Sequence, residues 1–364
     1  MRRRIPHGTN WVSPKTAIGT SIMVLVLVLL TSSKAFPQAA APATVSVVGG
    51  AYHVRGDILI SDQFNNRVIE VNPRTHQIVW TFGDGSSTAG PKSVVAPNDA
   101  QVVGPLTLIA GTGAPPGGEP SCPNGCADNR VMLVDVFGDI LWQYGQAGVT
   151  GSGRNQLNTP VQATFLPNFD VLITDQVNER VIEVTMFHDI VWQYGQTGAT
   201  GTGDNLLNNP NSAELLDNGN ILIADENNNR VIEVNREHHI VWEYSNGISG
   251  AAFASRLKNG HTLITDSLNN RIIEVSKGGA IVWEYSTSSR PGSVTNPNPT
   301  RAVRLANGNT LISDQFNMQV IEVDRKGMIV FSQGQISVAG TGFNQLNAPY
   351  DAKVVGDFTG LTPP

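Results

Sequence analysis

The chain is written in short apolar runs separated by short polar ones, and one such pattern recurs along it. It first reads Ile58-Leu-Ile-Ser-Asp-Gln-Phe-Asn-Asn-Arg-Val-Ile-Glu-Val71. It returns at Val171–Val184, Ile221–Val234, Thr262–Val275 and Thr310–Val323, with a degenerate copy inside Leu106–Val134. Each copy is followed by an aromatic run: Ile78–Trp80, Ile140–Trp142, Ile190–Trp192, Ile240–Trp242, Ile281–Trp283 and Ile329–Phe331. The apolar runs show little alternation, so both faces of each strand are expected to be covered. A repeat of roughly 40–50 residues built from such strands is the pattern of a propeller or a similar array.

The clearest copy predicts four strands: Pro210–Leu216, Ile221–Ala224, Arg230–Val234 and Ile240–Tyr244. The turns between them are rich in Asn, Asp and Gly, which tolerate positive φ and bond their own backbone. A linker also repeats, as Gly151–Pro160, Gly201–Pro210 and Gly340–Pro349. The last linker leads into Tyr350–Val355 with no blade behind it, while the first blade has only a poorly matching strand around Val47–Val54. Ring closure by the C-terminal strand resolves both oddities and removes exposed sheet edges. The expected fold is therefore all-β, a six-bladed β-propeller over residues 46–358, with a tail at 359–364.

The runs Tyr194–Pro210, Asn218–Asp225 and Asn228-Asn-Arg-Val-Ile-Glu-Val234 resemble the NHL repeat, and the resemblance covers about Ile58–Val355. It implies a propeller but a broad choice of function: protein-interaction and RNA-binding propellers, zinc-dependent amidating lyases and exported bacterial proteins. The aromatic fourth strand is more loosely similar to bacterial arylsulfotransferases and quinone-cofactor propellers. The resemblance implies that the lyase and sulfotransferase relatives place histidines near the axis. Here His76, His188, His238 and His239 fall in strand 3–4 turns and His261 in a strand 1–2 turn, which counts against both activities. The quinone-docking motif is absent, so no cofactor and no metal is assigned.

The N-terminal 35 residues change the picture of where the domain works. Arg2, Arg3, Arg4 and Lys15 precede the apolar run Ala17–Leu30, and Ser33-Lys-Ala35 offers a cleavage site. That is the layout of a secretory signal peptide, and the run falls short of the ~20 residues of a bilayer-spanning helix. Residues 36–45 read as a linker. The expected location is extracytoplasmic, periplasmic or secreted, with membrane attachment only if the segment stays uncleaved. Removal of residues 1–35 takes away five basic and no acidic residues, moving the formal charge from −6 to −11. With no Lys/Arg cluster left, nucleic-acid binding is disfavoured.

Cys122 and Cys126 lie in an insertion, Gly111–Asn129, and in an exported chain read as a disulfide that staples the loop. Positions that agree between copies are expected to be structural. These are Asp62, Asp175, Asp225, Asp266 and Asp314 with Arg67, Arg180, Arg230 and Arg271. Positions that vary are the candidates for function. Two residues after the Pro position, the innermost strands carry Asp99, Gln162, Ser212, Phe253, Arg301 and Asp351. Two further along stand Gln101, Thr164, Glu214, Ser255, Val303 and Lys353.

The first column is expected to border a solvated axial channel, with Asp99, Gln162, Ser212, Arg301 and Asp351 as ligand contacts and Arg301 exposed enough to tolerate alanine. A monomeric binding or scaffold module for a protein or small polar ligand is the expected function. The alternative is a lyase, hydrolase or sulfotransferase with its site at the channel mouth.

Overall fold

The computed structural model describes residues 52–357. Residues 1–35, expected to be a signal segment, residues 36–45, expected to be a linker, most of the run around Val47–Val54 and the tail from 358 lie outside the described residues. Within them, 24 strands form six four-stranded antiparallel sheets. Blade 1 consists of β24 (Pro349–Val354), β1 (Ile58–Asp62), β2 (Arg67–Val71) and β3 (Ile78–Phe82), in that order. The chain's last strand thus pairs with its first, Ile60 opposite Ala352. The fold is a six-bladed β-propeller closed by the C-terminal strand.

The other blades follow the chain from inside out: β4–β7 (97–145), β8–β11 (160–194), β12–β15 (210–244), β16–β19 (251–286) and β20–β23 (301–333). Strand bounds follow the repeat closely. β12 runs Pro210–Leu215, β13 Ile221–Asp225, β14 Arg230–Val234 and β15 Ile240–Tyr244. The second and third strands are buried on both faces, as their unbroken Val/Ile/Leu content demands.

The core is six apolar layers, each between two neighbouring blades. Leu108, Val131 and Tyr144 of blade 2 meet Ile173, Ile182 and Val184 of blade 3. Leu222 and Val231 of blade 4 meet Ile264 and Ile273 of blade 5. Burying one such side chain stabilises by about 1.5–3 kcal/mol. Four of the fourth-strand tryptophans add a polar tie, because their indole N–H reaches a strand 3–4 turn of the next blade. Trp80 donates to Val136 O (3.1 Å), Trp142 to Met186 O (3.0 Å), Trp192 to Arg236 O (3.2 Å) and Trp283 to Arg325 O (3.1 Å).

The insertion differs from the loop expected at 111–129. β5 (Leu106–Ala114) and β6 (Cys126–Val134) run on as nine-residue strands, so it is an extended hairpin whose irregular tip is only 115–125. The Cys122–Cys126 disulfide closes that tip.

Candidate functional site

The repeated aspartates end the second strand of a blade. Asp225 Oδ1 accepts the Asn208 N–H at 2.7 Å, and its Oδ2 accepts Asn228 Nδ2 and Arg230 Nε, each at 2.7 Å. Asp62 (with Asn347, Asn65 and Arg67) and Asp175 (with Asn158, Asn178 and Arg180) repeat the set. So does Asp266, with Ser249, Asn269 and Arg271. The guanidinium continues into the linker: Arg230 Nη1 donates to Thr202 O at 2.7 Å. Turn, third strand and linker are therefore tied by one buried carboxylate. Burial pushes the pKa of Asp62, Asp175 and Asp225 up, and the donors around each pull it back. These side chains are enclosed and have no face left for a ligand.

Two blades solve the same problem differently. In blade 6, Gln319 stands where the others have Arg, and Arg290 from the preceding linker pairs with Asp314 instead. Burial, only partly offset by Arg290, pushes Asp314 up to about 6. A carboxylate raised in the folded state contributes stability below its unfolded pKa and loses it as pH rises through the folded one. Wild type is therefore expected to lose on the order of 2–3 kcal/mol between pH 4 and 7 relative to Asp314→Asn. Parallel thermal melts across that range check this, and equal slopes for the two proteins would refute it.

In blade 2 the aspartate position is Gly111, and the carboxylate comes from Asp128 on the opposite strand. Asp128 accepts the Val95 N–H at 2.7 Å and holds Arg130 Nε at 2.6 Å.

At the axis, the two varying columns do not line a solvated channel. None of their twelve side chains exceeds 8% exposure, and Arg301 is 3% exposed. The expectation of an open bore with an exposed Arg301 is corrected on that ground. Most of the first column is used in a belt of blade-to-blade bonds. Each acceptor takes an N–H one residue past the next blade's column position. Asp351 takes Ala100 N–H (3.2 Å), Asp99 takes Ala163 (3.1 Å), Gln162 takes Ala213 (2.7 Å) and Ser212 takes Ala254 (3.2 Å).

Phe253 and Arg301 have no acceptor to offer the belt, and there Arg301 stacks on the Phe253 ring at 4.1 Å. Arg301 also pairs with Asp99 at 2.5 Å and Asp351 at 2.9 Å. Lys353 closes the cluster, 2.7 Å from Asp99 and 2.6 Å from Asp351. Burial acts most strongly on both carboxylates. Arg301 and then Lys353 outweigh it at Asp351, which is held low, whereas burial prevails at Asp99. The structure thus gathers Asp99, Arg301 and Asp351, while Gln162 and Ser212 sit apart in the belt.

The open space lies above the filled axis, on the face of the strand 2–3 turns. A cavity of about 670 Å³ is floored by Asn98 and Tyr350 of the inner strands and ringed by Gln63, Gln176 and Gln315. Phe64, Val177 and Phe316, one residue further round each turn, add an apolar border, with the hairpin residues 112–116 and 124–127 as a wall. The carboxamides are joined: Gln315 Nε2 donates to Gln63 Oε1 and Gln63 Nε2 to Asn98 Oδ1, both at 2.8 Å. Asn66 Nδ2, 3.0 Å from Glu119 Oε2, pins the hairpin tip to blade 1.

Beside the cavity, Tyr350 OH bonds Asn211, whose amide donates to Glu226 Oε2 at 2.8 Å. Burial raises the Tyr350 and Glu226 pKa values. No residue of this ring was among those singled out from sequence. The available signal was the position directly after each repeated aspartate: Gln63, Gln176, Glu226, Ser267 and Gln315 are polar but not alike. Among the described residues, no group of three or more His, Cys, Asp and Glu is placed to hold a metal ion.

No family model matches the chain, and no curated protein matches it in sequence. Solved structures do resemble it. A protein of unknown function from Bacteroides caccae aligns with a TM-score of 0.56 at 15% identity, over 77% of this chain and 93% of its own. The WD40 β-propeller domain of Doa1 aligns with a TM-score of 0.50 at 11% identity, over 78% and 80%. Virginiamycin B lyase from Staphylococcus aureus aligns with a TM-score of 0.46 at 14% identity, over 71% and 76%. At these identities the likeness is one of fold.

Proposed function

We propose that this propeller is an exported, NHL-type binding module that holds an uncharged polar ligand, or an uncharged segment of a partner protein, on its strand 2–3 face. The observation that carries the reading is the lining of the 670 Å³ cavity. It combines carboxamides and a phenol with aromatic and proline walls, and it contains no Lys, Arg, Asp, Glu or His. Such groups orient neutral donors and acceptors while the apolar border removes water. The cysteine in the wall is held in the disulfide and offers no thiol. The Asn-Asn-Arg turns and repeated linkers support the NHL assignment, and the disulfide together with residues 1–35 supports export. Recovery of the secreted protein beginning at Phe36 would agree with export, and an intact N-terminus in the membrane would contradict it.

Ligand-observed NMR with neutral oligosaccharides, neutral peptides and charged counterparts tests the binding proposal. Only neutral compounds are expected to bind, and Val177→Arg, at a position 48% exposed on the border, is expected to weaken them at least tenfold. Preference for charged compounds would overturn it. One observation favours an enzyme instead. Glu226, at the axis mouth, has its carboxyl raised by burial and receives only neutral donors at Oε2, from Gln176, Asn209 and Asn211. Turnover of a bound compound that is lost in Glu226→Gln would establish that reading.

A further inference from the structure

Three linkers carry the same run: Gly151-Ser-Gly-Arg-Asn-Gln-Leu157, Gly201-Thr-Gly-Asp-Asn-Leu-Leu207 and Gly340-Thr-Gly-Phe-Asn-Gln-Leu346. Two of them serve as internal controls for the third. In the first, Asn155 Oδ1 accepts the Gly145 N–H at 2.9 Å and Asn155 N–H donates to Tyr144 OH at 3.3 Å. In the second, Asn205 Oδ1 accepts the Gly195 N–H at 2.8 Å and its N–H donates to Tyr194 OH at 3.0 Å. Each tyrosine ring lies beside a histidine of the next blade's strand 3–4 turn, Tyr144 with His188 and Tyr194 with His238.

The third linker spans the joint between blades 6 and 1. Its Asn344 Oδ1 accepts the Gly334 N–H at 2.8 Å, so the run is seated as in the other two. The residue in the tyrosine register is Gln333, opposite Val320 as Tyr194 is opposite Val181. The tryptophan register holds Phe331. Gln333 turns its amide to the equivalent histidine, Oε1 lying 3.0 Å from His76 Nδ1, and the His76 ring stacks parallel to Phe331.

Two consequences follow from those two smaller side chains. Asn344 N–H, whose counterparts donate to a phenol oxygen, has no acceptor among the described residues. A cavity of about 300 Å³ opens at the same place, lined by Ile69, His76, Ile78, Gln333, Phe343 and Asn344. Asn344 is half-buried and the cavity opens to solvent beside Phe343, so a ligand oxygen placed there would take this N–H in exchange for water, as the phenol oxygens of the sister blades do.

We propose that this joint is a binding site for a phenol. The ligand's ring takes the place that Tyr144 and Tyr194 fill in the sister blades. Its oxygen accepts the Asn344 N–H, and the His76 and Phe343 rings flank it. The volume, at the lower end of ordinary ligand pockets, admits a phenol with one small para substituent. The site is independent of the strand 2–3 cavity.

The test titrates the full chain with 4-methylphenol and with toluene, following saturation transfer and the signals of the His76 ring and the Asn344 amide. 4-Methylphenol is expected to bind at least tenfold more tightly than toluene and to shift both protein signals. Gln333→Tyr rebuilds the sister arrangement inside the cavity. It is expected to weaken 4-methylphenol at least tenfold and to raise the melting temperature.

Unchanged binding in Gln333→Tyr, equal binding of toluene, or no binding of 4-methylphenol at millimolar concentration would overturn the proposal. Should that variant not fold, absence of the His76 and Asn344 shifts in wild type would overturn it equally. N-Acetyltyrosinamide separates the sources. Binding within threefold of 4-methylphenol assigns the site to a tyrosine side chain of a partner, and binding of 4-methylphenol alone assigns it to a free small phenol.

Discussion

Replacement of Arg301 by alanine is expected to destabilise the propeller by about 3–5 kcal/mol, the usual cost of removing one partner from a buried ion cluster. The substitution leaves Asp99 and Asp351, each 1% exposed, with only Lys353 between them. It also strips the stacking partner from Phe253. The inner strands of three blades meet at this cluster: β24 supplies Asp351, β4 (Pro97–Val103) supplies Asp99 and β20 (Arg301–Arg304) supplies Arg301. Loss should therefore act on the ring closure itself. Arg301→Lys is expected to recover only part of the stability, since an ammonium lacks the planar face that stacks on Phe253 and the separate Nη2 and Nε donors that reach Asp99 and Asp351. Urea denaturation at neutral pH measures both variants. A change below about 1 kcal/mol for Arg301→Ala would mean that water reaches the axis.

That prediction reverses what the column of varying residues implies when read as letters. The repeat makes the second and third strands, their turns and the ring closure legible, because an apolar run bounded by Asp-x-x-Asn-x-Arg has one use in the four blades that carry it, and the blade 6 copy departs from it only at Gln319. It also identifies the innermost strands. It does not disclose how near those strands come to one another. At six blades the column side chains reach the next blade's backbone N–H groups, so Asp99, Gln162, Ser212 and Asp351 serve as acceptors in a belt. Variation there reflects which acceptor or ion pair closes each joint.

The 670 Å³ cavity was hidden for a different reason. Its floor comes from inner strands, its ring from three turns and its wall from the hairpin of blade 2. No local run of residues contains the site. The insertion was visible as an irregularity with two cysteines, but its extension of β5 and β6 over the turn face depends on pairing from Gly113–Ala127 to Ala114–Cys126.

Blade 2 supplies the second large effect, and it separates the carboxylate from the residue number that usually carries it. Asp128→Ala should cost about 3–5 kcal/mol, because Arg130, 2% exposed, loses its bonds to Oδ1 (2.6 Å) and Oδ2 (3.2 Å). The Val95 N–H loses its acceptor as well. Gly111→Asp alone should also be damaging. A Cβ at Gly111 would stand 2.6 Å from the Asp128 carboxyl carbon, and a second buried acid would face the first.

The pair Gly111→Asp with Asp128→Asn recreates the arrangement of the sister blades. Gly111 is opposite Arg130 as Asp225 is opposite Arg230, and an asparagine at 128 would occupy the place of Asn228. The double variant is expected to lose less than the sum of the two single variants by about 1–3 kcal/mol, the coupling found between residues in contact. Denaturation of the two singles and the double forms the cycle. Simple additivity would show that the carboxylate cannot be moved across the hairpin, and that the extended strands of blade 2 hold Arg130 in a way the other turns do not.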